Sequence, residues 1–218
     1  MEVLSNLQKL RKELFDKLND VQKAKAAYDF VMGNDVMQTK PAPLPGNVPN
    51  GVYIVYNDGT YIPFSSDAPK DNAKFVGVAY DGHTFGVFRK VGDYKLLPST
   101  NIPKDDLCQN EYQALFDWDF VKHTDHIFKL GCEIPLVEGE YLPTAPMFVV
   151  MANLANQGLN DALKHIGLDP IDLDGYYWFA QRGNASGAWF FSGTNGTLNG
   201  YVYVPYAYTV QAVVLWNP

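Results

Sequence analysis

A chain of 218 residues is long enough for one sizeable core with a small appendage. Its formal charge is −7 and Lys and Arg together number only 17, which leaves no clustered basic face for phosphates and excludes nucleic acid as the expected partner. No apolar run is long enough to span a bilayer, so no membrane insertion is expected, and Met1-Glu2-Val3-Leu4 lacks the basic and apolar regions of a secretory signal.

Residues 1–32 carry Leu7, Leu14, Val21 and Tyr28 at seven-residue intervals, with Leu4 and Leu18 interleaved and Leu10 and Phe15 widening the stripe. That period predicts one amphipathic helix, interrupted on its apolar side by Arg11 and Lys25. Two readings stand: a helix folded back onto the body, or a short coiled-coil stalk that sets oligomer state. Either supplies the packing partner that an isolated helix of this length needs. Residues 33–50 form a linker in which Pro41, Pro43, Pro45 and Pro49 fix φ and remove donors, making it extended and semi-rigid.

The body, 51–218, opens with two hairpin signals. Val52-Tyr53-Ile54-Val55-Tyr56 and Thr60-Tyr61-Ile62 flank Asn57-Asp58-Gly59, and Phe75 to Tyr80 and Thr84 to Phe88 flank Asp81-Gly82. A broken helix is predicted over Glu111 to Leu130. A clearer one runs from Pro146 to Ile166, with Met147, Val150, Met151, Leu154, Leu159 and Leu163 on one side and Gly167 just past its end. Asp169-Pro170 and Asp174-Gly175 then turn the chain into short strands that run to the C-terminus. Strand pairs, two helices and a strand-rich tail indicate the α+β class.

Chemical motifs are few. There is no Gly-rich phosphate cradle and no Gly-x-Ser-x-Gly elbow. His123 and His126 are spaced for one side of a helix, but without a third ligand at matching spacing they are expected to be solvated or packed. His83 and His165 have no nucleophile nearby in sequence. Asp169, Asp172 and Asp174 are too few for calcium, which wants about six oxygens or more, and are expected to cap turns. Glu138 and Glu140 flank Gly139 in a predicted turn and are expected to be solvated. Cys108 and Cys132 cannot make a disulfide framework and show no metal-type pairing; two buried free thiols are expected ahead of one bridge.

Residues 175–216 hold the strongest signal. Largely apolar ends, Gly175 to Gln181 and Val210 to Trp216, enclose a stretch rich in Gly, Ser, Asn and Tyr, with Ala188-Trp189-Phe190-Phe191 in its middle. That composition suits a binding loop, because Tyr offers large contact area at low rotamer cost and small residues let a loop adapt. The alternative is an ordinary hairpin with tyrosines along one edge.

Several pieces here carry a resemblance: Tyr177-Trp178, Ala188-Trp189, Asn195-Gly196, and Tyr208-Thr209-Val210-Gln211-Ala212-Val213. Upstream, Gly139-Glu140-Tyr141-Leu142-Pro143-Thr144 precedes a helix, and Tyr56-Asn57-Asp58-Gly59-Thr60 and Val76-Gly77-Val78-Ala79 fit the same order. From Gly51 to Trp216 the chain resembles C-type-lectin-fold proteins of gut bacteria and their phages, the variable proteins of diversity-generating retroelements and phage tail-tip adhesins. It departs from them in two places. Phe179-Ala180-Gln181-Arg182 stands where Ser-Ser-Thr-Glu is usual, and Gln211-Ala212 where Arg-Pro is usual. The Glu-Pro-Asn and Trp-Asn-Asp signatures of calcium lectins are missing, so calcium-dependent sugar binding is not expected.

The resemblance implies the C-type lectin fold, in the variant shared with formylglycine-generating enzymes, and a diversified binding segment over 179–208. Its contact face is expected to include Arg182, Asn184, Ser186, Phe190, Ser192, Thr194, Asn199, Tyr201, Tyr203, Tyr206 and Tyr208. Adenine-directed diversification of asparagine-type codons cannot yield Lys, Glu, Gln, Met or Trp, and between Arg182 and Tyr208 only the scaffold residue Trp189 belongs to that set. The implied partner is a host-surface protein or glycan. Residues 1–32 would join copies, a trimer being favoured, and avidity would follow. The implied location is the virion, at a phage tail tip, or a bacterial surface reached without an N-terminal signal peptide. No catalytic residue, metal or cofactor is expected. A formylglycine-generating oxidase would need a copper-binding cysteine pair near the C-terminus, and no cysteine follows Cys132. A structural fibre subunit that contacts only its own copies is the other alternative.

Overall fold

In the computed structural model the described residues are 48–96, 107–184, 187–193, 196–203 and 206–218, with the backbone alone for 200–203. The expected helix over 1–32 and most of the linker, 33–47, lie outside them.

Turn chemistry places the first four strands. In β1 (Gly51–Tyr56) and β2 (Tyr61–Pro63) the connection is closed by Asp58, whose carboxylate accepts from the Thr60 backbone N–H at 2.9 Å and from its hydroxyl at 2.7 Å. Between β3 (Ala73–Tyr80) and β4 (His83–Lys95), Asp81 and Gly82 both have positive φ, +48° and +80°. That is the two-residue turn whose twist matches paired strands. Both predicted hairpins are therefore present.

The broken helix is α1 (Glu111–Phe116) and α2 (Phe120–Lys129), started by Asn110 and Asp119 side chains that accept from the Gln113 and Lys122 backbone N–H groups. After the short β5 (Glu140–Tyr141), the single helix expected from Pro146 to Ile166 is instead α3 (Ala145–Leu154) and α4 (Asn160–His165). The break is Gly158 at φ +106°, which no continuous helix accommodates. The remaining strands are β6 (Tyr176–Arg182), β7 (Gly187–Ser192), β8 (Thr197–Tyr203) and β9 (Ala207–Leu215).

Together these make a mixed α+β body with a sheet at its centre. The strand order is β2-β1-β3-β4-β9-β6-β7-β8, with β5 against β9. The last strand is the seam. It pairs antiparallel with β4, from Phe85 with Leu215 to Lys95 with Ala207, and parallel with β6 at Tyr177 and Thr209. The β6–β7 hairpin carries apolar side chains on both faces. Tyr177, Phe179, Trp189 and Phe191 join the larger core with Phe148 and Met151 of α3. Trp178, Ala180, Ala188 and Phe190 join a second cluster with Ile127 of α2, Leu96, Cys132, Ile134 and Val210. A third cluster packs Tyr53, Tyr61 and Trp216 edge-on or tilted with ring centres 5.4–5.8 Å apart, and Gly77 leaves the space for the indole, since a Cβ there would lie 2.8 Å from it.

Gln181 ties the helices to the sheet. Its side-chain oxygen accepts from the Ala145 backbone N–H at 2.7 Å, the start of α3, where Thr144 makes no side-chain cap. Its amide donates to the Ala114 and Asp117 carbonyls. Glu140 corrects the expectation of a solvated turn carboxylate. Its side chain is 2% exposed and takes both arms of the Arg89 guanidinium, at 2.7 and 2.8 Å. The geometry of Arg89, which also reaches the Pro135 carbonyl, draws the carboxylate inward.

Candidate aromatic surface

Tyr208, near the start of β9, is the hub of a ring cluster. Its ring lies 4.6 Å from Trp178, 5.0 Å from Phe190, 5.2 Å from Tyr176 and 6.2 Å from Tyr206. Trp178 and Phe190 are the floor. Trp178 is fully buried, and its indole N–H donates to the Tyr94 carbonyl at 2.8 Å, across the strand pair that sets Tyr94 opposite Tyr208. Tyr176 and Tyr206 are the rim, 39% and 58% exposed, with Tyr208 half-buried between them. Burial, then the neighbouring phenols of Tyr176 and Tyr206, push the Tyr208 hydroxyl above its ordinary pKa. Stacked rings on a buried floor give an apolar surface with hydroxyl edges, suited to contact with another molecule.

The eleven residues expected at the contact face divide sharply. Tyr206 and Tyr208 belong to this surface. Asn184 and Asn199 are half-buried, and the Asn199 amide donates to the Thr197 hydroxyl at 2.8 Å. Ser186 and Thr194 lie outside the described residues, as do the side chains of Tyr201 and Tyr203, whose backbone is in β8. Arg182, Phe190 and Ser192 are corrections, being 1%, 5% and 4% exposed. Past the exposed Tyr176, β6 and β7 are covered on both sides, so these side chains are framework. The Arg182 side chain hydrogen-bonds Cys132, and burial lowers its pKa. Tyr176 was missed because it opens a run that reads as core strand.

A second constellation sits away from the rings. In α2 the His123 Nε2 lies 2.7 Å from Asp117 Oδ2, with the His126 ring edge-on at 6.3 Å. Cys108 Sγ donates to the same oxygen at 3.5 Å. The hydrogen bond from His123 holds the Asp117 carboxyl down to about 2, while burial and the facing carboxylate push the Cys108 thiol up to about 12. Such a thiol keeps its proton at neutral pH unless a cation takes the proton's place. Both cysteines are buried free thiols. Asp172 accepts from the Asp174 backbone N–H, the turn-capping role expected for it. Among the described residues no helix is long and apolar enough to cross a membrane.

No protein-family model matches the chain, and no curated protein matches it. Among solved structures it is similar to a fimbrial protein from Bacteroides ovatus, at 12% identity and a TM-score of 0.47. The match covers 76% of this chain and 48% of that one, so the chain spans about half the length of that structure.

Proposed function

We propose that the chain is a non-catalytic recognition module with the C-type lectin fold, which displays the Tyr176–Tyr206–Tyr208 surface to a protein or glycan on a host cell. The observation that carries this reading is the placing of exposed stacked rings on a buried, hydrogen-bonded floor. A preformed surface loses little freedom on binding, and a few aromatic anchors supply most of the affinity of such contacts. The fold reading is supported by the path of the chain. Helices α1 to α4 lie between β4 and β6, and β9 returns to zip the strands before the helices to those after them. The setting we propose is a phage tail tip or a bacterial surface, with a trimer assembled through residues 1–32 and a segment diversified within 179–208.

The test is attachment of the full chain to a panel of gut bacterial cells and to glycan and surface-protein arrays. The Tyr176→Ser/Tyr206→Ser double variant should lose at least about tenfold in affinity while keeping its circular dichroism spectrum. Unchanged attachment by the folded variant overturns the reading.

A further inference from the structure

We propose that Cys108, Asp117 and His123 form a binding site for a single zinc-class divalent ion. Their ligand atoms, a sulfur, a carboxylate oxygen and an imidazole nitrogen, all lie within 4.8 Å of one another. The three residues come from separate places: the segment before α1, the break between α1 and α2, and the first turns of α2. Besides the contacts that the Cys108 and His123 side chains share at Asp117 Oδ2, each is fixed in its own place. Cys108 donates its backbone N–H to the Arg182 carbonyl at 2.8 Å and accepts the Trp189 indole N–H at 2.7 Å. Asp117 accepts the Asp119 backbone N–H on its second oxygen, and its carbonyl accepts from Gln181. His123 is 2% exposed inside α2.

The distances suit an ion of this size. Tetrahedral zinc, with bonds of about 2.3 Å to sulfur and 2.0–2.2 Å to nitrogen and oxygen, sets S···O and N···O edges of about 3.6 and 3.4 Å. Cys108 and Asp117 already stand at 3.5 Å. His123 and Asp117 stand at 2.7 Å, a hydrogen-bond length, and part by several tenths of an ångström when the ion takes the bridging proton's place, the ring keeping one proton on Nδ1 and releasing any second to the buffer. The charges balance too. A divalent ion, the Asp117 carboxylate and a Cys108 thiolate sum to zero, the thiol proton passing to the buffer, so the buried set carries no net charge. Mixed sulfur, nitrogen and oxygen donors favour zinc over magnesium or calcium. Cys108 and Asp117 also line a cleft of about 540 Å³, walled further by His83, Gln113, Phe116 and Trp118, from which water would complete the coordination.

The experiment uses the reduced full chain with zinc chloride and, as a spectroscopic probe, cobalt(II) chloride. One equivalent of cobalt should give the near-ultraviolet thiolate-to-metal charge-transfer band, and zinc should abolish it. Cys108→Ser should remove the band and His123→Gln should weaken affinity at least about tenfold, while Cys132→Ser retains both. No band with the wild-type chain overturns the site without recourse to any variant. A band that survives Cys108→Ser and vanishes in Cys132→Ser overturns it as well.

Discussion

The β6–β7 hairpin and the first residues of β9 lie side by side in one sheet and carry similar side chains, yet they meet opposite surroundings. Phe179 and Phe190 are sealed, one beneath α3 and the other in the cluster with Ile127 and Ile134. Tyr206 and Tyr208 stack with their rings 9° from parallel and keep a face in water. Aromatic content therefore says little about role in this stretch; cover by neighbouring elements decides it. A strand packed on both faces becomes framework, and the one that projects past its cover becomes available surface.

That contrast breaks most severely where the hairpin is hollowed out. Phe179→Ala should cost about 3–5 kcal/mol, the transfer term plus a cavity that the rings of Phe148 and Tyr177 only partly fill. Chemical denaturation should show a large fall in midpoint or no folded protein at all. Glu140→Ala comes next. It leaves the Arg89 guanidinium the Pro135 carbonyl but no counter-charge and removes the acceptor of the Val137 backbone N–H, and about 2–4 kcal/mol is expected, below the fully buried case because Arg89 is 35% exposed. Glu140→Gln, which keeps the shape and one acceptor, should lose less, and the difference between the two measures the charge.

A buried ring also differs from an exposed one in its response to alkali. Burial pushes the Tyr177 phenol up to about 12, and its oxygen accepts the Asp172 backbone N–H at 2.9 Å. The folded state thus keeps the proton where the unfolded chain, near pH 10, gives it up. The stabilisation is whole below pH 10 and drains away as pH rises to 12, by about 3 kcal/mol in all. Tyr177→Phe should flatten that loss in urea titrations at pH 8, 10 and 11, at the expense of about 1 kcal/mol at neutral pH for the unpaired N–H.

How far this was legible in the sequence follows from which signals are local. Asp81-Gly82 and Asn57-Asp58-Gly59 dictate their turns through their own φ preferences, so the hairpins could be read directly. The break at Gly158 could not, because Leu159 and Leu163 keep the apolar period running through it. The buried state of Phe190 and Arg182 depends on α2 and the 132–136 segment folding over the sheet, which no spacing encodes. A usable clue did exist in the unbroken apolar run Tyr176 to Ala180, since strands exposed on one face alternate. Cys108, Asp117 and His123 meet only because α1 ends at Phe116 and α2 restarts at Phe120, leaving Asp117 to turn its carboxylate toward both.

The smallest stability effects should fall on the rim, where the largest binding effects are expected. Tyr206 is 58% exposed and touches the cluster chiefly through Tyr208, so Tyr206→Ser should change unfolding free energy by less than about 1 kcal/mol. Tyr208→Ser should cost more, about 1–3 kcal/mol, because that ring roofs Trp178 and Phe190. Paired urea titrations and binding isotherms separate the two. If the surface serves recognition, Tyr206→Ser loses affinity out of proportion to its stability, whereas Tyr208→Ser loses both. Equal losses at the two positions would instead make the rings a roof over the second core, and the contact face would have to be sought elsewhere on the sheet.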